Sequence, residues 1–305
     1  MSNRIGVVLM AYGTPRSREE ILPYYTDIRR GRPPTEEQLA DLTRRYEAIG
    51  GLSPLAQLTE AQRDALQSAL DALHPGTFDV RLGLKHAQPM IEETTRELIE
   101  SGVKSIVGIV LAPHFSTYSI GQYLGRVKAV AEPAGIPVSG VESWATEPAF
   151  VEFIARDLRE RISAAPAPVR VLFTAHSLPT RIVDAGDPYV TELRSTAVAV
   201  ASELNMDEST WGISWQSAGR TPEPWLGPDI LEDIDTIAAE GLYKSVIVSA
   251  CGFVADHLEV LYDLEIEAAG RAKSQGIGFD RTACVNDNPT VMSALANRVV
   301  AASGV

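Results

Sequence analysis

Short apolar runs closed by glycine, proline or polar residues alternate with amphipathic segments along the chain, and this alternation limits most strongly what it can fold into. The first runs are Ile5–Ala11 (IGVVLMA), Phe78–Leu84 and 105–112 (SIVGIVLA), with a shorter one at 137–141. Runs this short and this apolar predict strands buried on both faces, which belong to parallel sheets. Between them, 35–49 (Thr35 a candidate N-cap), 59–73, 91–100 and 120–131 carry helical patterns. After a helix-forming stretch at 144–163 and a linker-like SAAPAP, the alternation restarts, with runs at 169–175, 210–215, 244–250 and 282–285. Helical patterns separate these too, at 187–204 and Ile230–Glu240, and a terminal one covers 289–302. Such an order predicts an α/β chain with right-handed crossovers, built as two doubly wound domains from a duplicated unit. A length of 305 residues suits two cores better than one. The expected division is 1–145, with an insertion at 14–55, and 146–305.

In sheets of this kind ligands bind outside the carboxyl ends of the strands. Those ends hold Tyr12, Lys85, His86, His114 and Phe115 in the first half, and His176, Gln216 and Ser217 in the second. A ligand cleft between the domains is therefore expected. The insertion sets aromatics beside arginines (PYYTDIRRGRPP, RRYEAIGGLSPL), which suits a flat anionic ligand and equally an ordinary surface segment.

The stretch 251–267, CGFVADHLEVLYDLEIE, leaves an apolar strand, crosses Gly252 and enters a helix. Glu259, Asp263 and Glu267 recur four apart, so three carboxylates share one row. Like charges at that spacing destabilise a helix by roughly 0.2–0.5 kcal/mol per pair, a penalty that neighbouring cations relieve. A solvated acidic face fits the row as well.

A formal net charge of -13 excludes a phosphate-backbone partner, which needs a basic surface. Cys251 and Cys284 are the two cysteines, too few for a disulfide framework or a four-cysteine metal site, so a reducing, cytoplasmic setting is expected. Neither a signal-peptide pattern nor a membrane-length apolar run is seen. GxGxxG, the P-loop, GxSxG and HExxH are absent. Of the histidines, His74 reads as surface, His86 and His114 as strand-end hydrogen-bonders, and His257 as a helix cap. His176 follows VLFTA directly, so a buried strand delivers its imidazole to the sheet edge. An imidazole with the Glu259 carboxylate can hold a divalent first-row metal loosely or take up protons.

FTAHSLP, SWQSAGRTPEPWLGPDI and GFVADHLEVLYDLE closely resemble ferrochelatases, as do MAYGTP, YYTDIRRGRPP, RRYEAIGGLSPLAQ, GLKHAQP and VLAPHFSTYS. The resemblance is closest to the short type of monoderm bacteria that forms coproheme from coproporphyrin III. It implies two Rossmann-like domains, each a four-stranded parallel sheet flanked by helices, with a porphyrin cleft between them. It implies Fe2+ as substrate at His176 and Glu259, and Tyr12 axial to the product iron. Arg29, Arg45, Tyr46, Ser53, Lys85, His86 and Tyr123 match porphyrin-facing positions, and Asp263 with Glu267 an outer metal path or hydrated Mg2+ site. With two cysteines and an end at Val305, no [2Fe–2S] cluster and no membrane attachment are expected. A monomer, in transient contact with neighbouring heme-pathway enzymes, is implied. Trp215 and Trp225 read as packing residues. Protoporphyrin IX chelation, cobalt or nickel insertion into a related tetrapyrrole, and a heme or porphyrin carrier are the alternatives.

Overall fold

The computed structural model describes residues 4–219 and 221–305. The start of the N-terminal stretch and Arg220, in the sequence AGRTPEPWLGP, lie outside the described residues.

The chain forms two compact units. One takes the chain up to Ala112, then Thr117–Ser143 and Asn286–Val305; the other takes Pro113–Ser116 and Trp144–Val285. The first unit holds strands β1 (Ile5–Ala11), β2 (Phe78–Leu84), β3 (Ser105–Val110) and β4 (Val138–Val141) in the order β2-β1-β3-β4. The second holds β5 (Val169–His176), β6 (Trp211–Gln216), β7 (Ser245–Ser249) and β8 (Gly278–Arg281) in the order β6-β5-β7-β8. Both sheets are parallel throughout, and the second repeats the strand order of the first. Every residue of β1 is buried, as a central parallel strand requires.

In each unit the chain reverses its winding beside the first strand, between β1 and β3 and between β5 and β7. This is the switch point at which open α/β sheets bind ligands. Tyr12 leaves β1, His176 ends β5, and the chain runs from β7 to Glu259.

Three features differ from the pattern expected of the sequence. The last strand is Gly278–Arg281, not 282–285. Cys284 and Val285 are buried by packing against the second unit's interior, so their apolar character does not mark a strand. The terminal helix Pro289–Ser303 packs on helix Leu55–Leu73 and on β3 and β4, which returns the end of the chain to the first unit. Gln62, fully buried, fastens that return by donating Nε2–H to the Asn286 carbonyl at 2.9 Å.

The third difference is the helix after β7. Val260–Ala268 is π-helical and runs on into helix Ala269–Ser274. Its apolar members Val260, Leu264 and Ala268, then Ala272, sit four apart in the core beside Ile230, Ile234 and Ile237. Four residues overshoot a turn of about 3.6 residues. The i→i+5 ring of a π-helix closes a turn longer than four, so the same step falls slightly short. A strict four-residue repeat suits a π segment joined to α-helix, and the acidic row repeats the same spacing. Among the described residues, no helix is long and apolar enough to cross a membrane.

Candidate active site

In the second unit, His176 is placed by backbone and neighbours. The Tyr189 hydroxyl donates to its carbonyl at 3.1 Å, and Ser177 N donates to the Gln216 carbonyl. Tyr189 is buried against Trp215, and burial pushes its phenol well above the usual range. Gln216, fully buried, takes Thr174 Oγ1–H on its carbonyl (2.9 Å) and donates Nε2–H to the Glu259 carbonyl (3.2 Å). One amide therefore ties β5 and β6 to the peptide that carries the carboxylate.

Hydrogen bonding also assigns both histidine tautomers. His176 Nδ1 lies 2.5 Å from the Ser177 carbonyl, and a carbonyl only accepts, so Nδ1 carries the proton. His257 Nδ1 makes the same bond to the Ala255 carbonyl at 3.1 Å. Each neutral ring then keeps a lone pair on Nε2. These face one carboxylate: His176 Nε2 is 3.8 Å from Glu259 Oε1, and His257 Nε2 is 3.6 Å from Oε2. Both separations are too long for hydrogen bonds. In their neutral forms the two imidazoles thus bring a lone pair each toward one carboxylate, an arrangement that attracts a metal ion or protons. Among the described residues no group of three or more His, Cys, Asp or Glu side chains, these three included, is gathered closely enough to hold a metal ion as it stands.

The rest of the row leads away from Glu259. Asp263 is buried and accepts from the Ser217 hydroxyl, whose residue stands in the left-handed region (φ 60°). Glu267 is half-buried and lines a surface hollow of about 360 Å³ with Leu231, Gly270, Arg271 and Ser274. Trp225 lies beside His176 (ring centroids 6.5 Å), and Trp215 is buried packing.

In the first unit, Lys85 N and His86 N donate to the carbonyls of Ala11 and Tyr12, extending β2 along β1 past the sheet. Tyr12, 42% exposed, stacks obliquely on His86 at 4.6 Å. Lys85 Nζ stands 5.1 Å over the Tyr123 ring and donates to Gln122 Oε1. Burial, then the Arg126 and Arg30 charges, push the Lys85 ammonium below its ordinary pKa. His86 Nδ1 donates to Asp27 at 2.6 Å; burial still holds its pKa below normal. Tyr123 is buried, which raises its phenol, and Tyr12 adds to the effect.

The structure thus draws Tyr12, Lys85, His86 and Tyr123 together. Arg29 packs on Tyr25, and Arg45 pairs with Asp41 at 3.3 Å. Tyr46 and Ser53 are buried, with Tyr46 OH 3.4 Å from Thr14 Oγ1 and Ser53 Oγ accepting from Leu55 N. Sequence reasoning placed Gln216 at the strand ends but missed His257 beside Glu259, Tyr189 beneath His176, and Arg30 and Arg126 around Lys85. For His257 the signal was its place two residues before Glu259. The others become visible only through tertiary contacts.

The Ferrochelatase family model matches residues 4–303. The chain is 44% identical over 301 residues to the coproporphyrin III ferrochelatase of Geobacillus kaustophilus, covering 97% of this chain and 95% of that protein. It is 42% identical over 303 residues to the protein of the same name from Bacillus subtilis, covering 97% of each. A structure of SirB from Bacillus subtilis with Fe3+ shares the fold at TM-score 0.57 and 13% identity, over 99% of this chain and 96% of that one. With the family match spanning nearly the whole chain, this protein belongs to the ferrochelatase family.

Proposed function

We propose that this chain inserts Fe2+ into coproporphyrin III, giving coproheme and releasing two protons. The carrying observation is the convergence of His176 Nε2, His257 Nε2 and the Glu259 carboxylate in a chain of the ferrochelatase family. Names of relatives at 42–44% identity support the substrate. In this reading the two pyrrole protons leave as the metal enters. The lone pairs at His176 and His257 and the Glu259 carboxylate divide two tasks, holding Fe2+ and accepting protons. The roles belong to the group more than to one residue. Distorting the macrocycle exposes its nitrogen lone pairs and lowers the barrier.

Tyr12 serves as axial ligand to the product iron, and Arg29, Arg45, Tyr46, Ser53, Lys85, His86 and Tyr123 serve the porphyrin and its propionates. Support comes from the Lys85 ammonium with Arg30 near it, since such cations pair with carboxylates, whereas Arg126 is already held by both Glu92 oxygens at 2.6 Å. Asp263 and Glu267 form an outer site for a hydrated cation such as Mg2+. The enzyme works in the cytoplasm as a monomer and passes coproheme to a neighbouring heme-pathway enzyme.

The test is anaerobic Fe2+ insertion, monitored by absorbance, into coproporphyrin III, protoporphyrin IX and sirohydrochlorin, with Co2+ in parallel. Coproporphyrin III with Fe2+ should give the highest kcat/KM. A preference for protoporphyrin, or for cobalt into sirohydrochlorin, overturns the substrate assignment. Tight porphyrin binding without insertion of any metal points to a carrier.

A further inference from the structure

We propose that Arg281 is a positioning residue for the metal-holding segment: one guanidinium grips the chain on both sides of Glu259 and keeps the π-helical turn in place. The inference rests on the role proposed for Glu259 in metal insertion.

Arg281 ends β8, the edge strand beside β7. Its Nη2 donates to Asp256 Oδ1 at 2.9 Å. Nε and Nη2 both donate to Glu265 Oε1, at 2.9 and 2.5 Å, and Nη1 donates to the Thr282 carbonyl at 3.0 Å. Asp256 lies in the loop that enters the helix, next to His257 and three residues before Glu259. Glu265 lies inside the π segment, six residues after Glu259. The group that fixes the approach to the helix therefore also fixes its interior.

Arg281 is more than one half of a surface ion pair. The Arg281 side chain is 13% exposed, and arginine is seldom buried unless paired. Its planar fork fixes direction as well as charge, which an ammonium does not. A π turn is rare and differs from α by one extra residue in the hydrogen-bonded ring. Converting one to the other slides the entry loop along the helix by about a residue, and a guanidinium bonded to both parts resists that slide. His257 and Glu259 lie between the two anchors, so their approach to His176 depends on the same grip.

Arg281→Met should lower kcat by about tenfold or more while the porphyrin KM stays within about twofold, and Arg281→Lys should recover only part of the loss. Glu265→Gln changes an exposed carboxylate outside the site, and should lower kcat by about threefold or more. Added to Arg281→Met it should change little further, because both act through one contact. Amide exchange over 258–268 should speed up in both variants and stay unchanged in β1 to β4. If Arg281→Met does not fold, Glu265→Gln carries the test alone. The inference is overturned if kcat and exchange over 258–268 are those of the wild type, or if lost activity only follows the lost folded fraction. Should the wild type insert no metal into any porphyrin, the functional reading fails, while the exchange measurement still decides the role of Arg281.

Discussion

In the first unit the ends of β1 and β2 present Tyr12, Lys85 and His86, with Arg30 and Arg126 close enough to depress the Lys85 ammonium. In the second unit the corresponding edge presents His176, His257 and Glu259, all with lone pairs turned toward one another. The strand order is the same, and so is the switch point. The difference lies in the sign of the ligand each edge prefers: cations and aromatics suit a flat polyanion, whereas crowded lone pairs suit a metal ion or protons. One scaffold used twice thus presents two different sets of side chains, because those sets sit in the residues just past each strand and not in the sheet. The helices differ as well, since among the described residues the π segment occurs in the second unit alone.

The comparison breaks most readily at the second unit. His176→Ala and Glu259→Gln should each lower kcat by about a hundredfold or more, the range of a lost acid–base or metal-holding group. Porphyrin binding, read by fluorescence quenching, should persist in both. Wild-type turnover in either variant would undo the division of labour between the units.

A glycine near each site sharpens the contrast. Gly13 follows Tyr12 with φ +91°, a conformation that side chains resist, and an added Cβ would lie 2.8 Å from Ala87 Cβ. Gly252 needs closeness instead: its N–H donates to the Thr174 carbonyl, and an added Cβ would fall 2.4 Å from Ala175 Cβ and 2.6 Å from Ala175 Cα. Backbone has to move to relieve that clash, and the next residue is His176. Gly252→Ala should destabilise the protein by about 1–3 kcal/mol and lower kcat in the folded fraction. Denaturant midpoints with active-site titration check both; unchanged kcat would show that the turn does not aim His176.

Much of this architecture was legible in the chain itself. Strands β1 and β2 and helix Ile230–Glu240 fall at the boundaries their apolar patterns predict, and Thr35 caps its helix through a reciprocal box with Gln38. The pairing of His176 with Glu259 followed from one strand end and one acidic row. The last strand was misplaced because Cys284 and Val285 are buried without being in the sheet. The π-helix was legible in principle, since two rows four apart depart from the mixed three- and four-residue spacing of an α-helix. His257 looked like a cap because the Ala255 carbonyl that orients it becomes its partner only once the loop is folded. The return of the terminal helix to the first unit leaves no local signal, and neither does the burial of Tyr46 and Ser53.

The units also hold their histidines differently. His86 keeps an Asp27 partner, which opposes the effect of burial. His114, on the loop counted with the second unit, is buried with Nε2 2.8 Å from Thr196 Oγ1. The Thr196 hydroxyl already donates to the Ala145 carbonyl, so His114 Nε2–H is the donor and Nδ1 has no partner. Burial pushes the His114 pKa down from 6.5 to about 3. Below pH 6.5 the unfolded chain binds a proton that the folded chain refuses, so this residue lowers stability as pH falls, until about pH 3. At pH 5 the loss is about 2 kcal/mol. Urea midpoints at pH 7 and pH 5 should therefore differ more in the wild type than in His114→Asn, and equal slopes would show that the imidazole takes up its proton in the folded state.

The smallest effect sought lies at Lys85, where the reading of the first unit as an anion-binding edge is most exposed. The ammonium is already disfavoured, first by burial and then by Arg126 and Arg30. A propionate arriving there gains a partner and offsets the repulsion between Lys85 and Arg30, Arg126 being already paired with Glu92. Lys85→Met, which keeps the apolar stem against Tyr123, should raise the KM for coproporphyrin III about threefold to tenfold and leave kcat within about twofold. The rise should shrink as salt is added, because screening weakens a partly exposed pair. Protoporphyrin IX, with two propionates in place of four, should register less of it. An effect on kcat alone, with KM unchanged at low salt, would move Lys85 out of substrate binding and make the two edges less different than their charges imply.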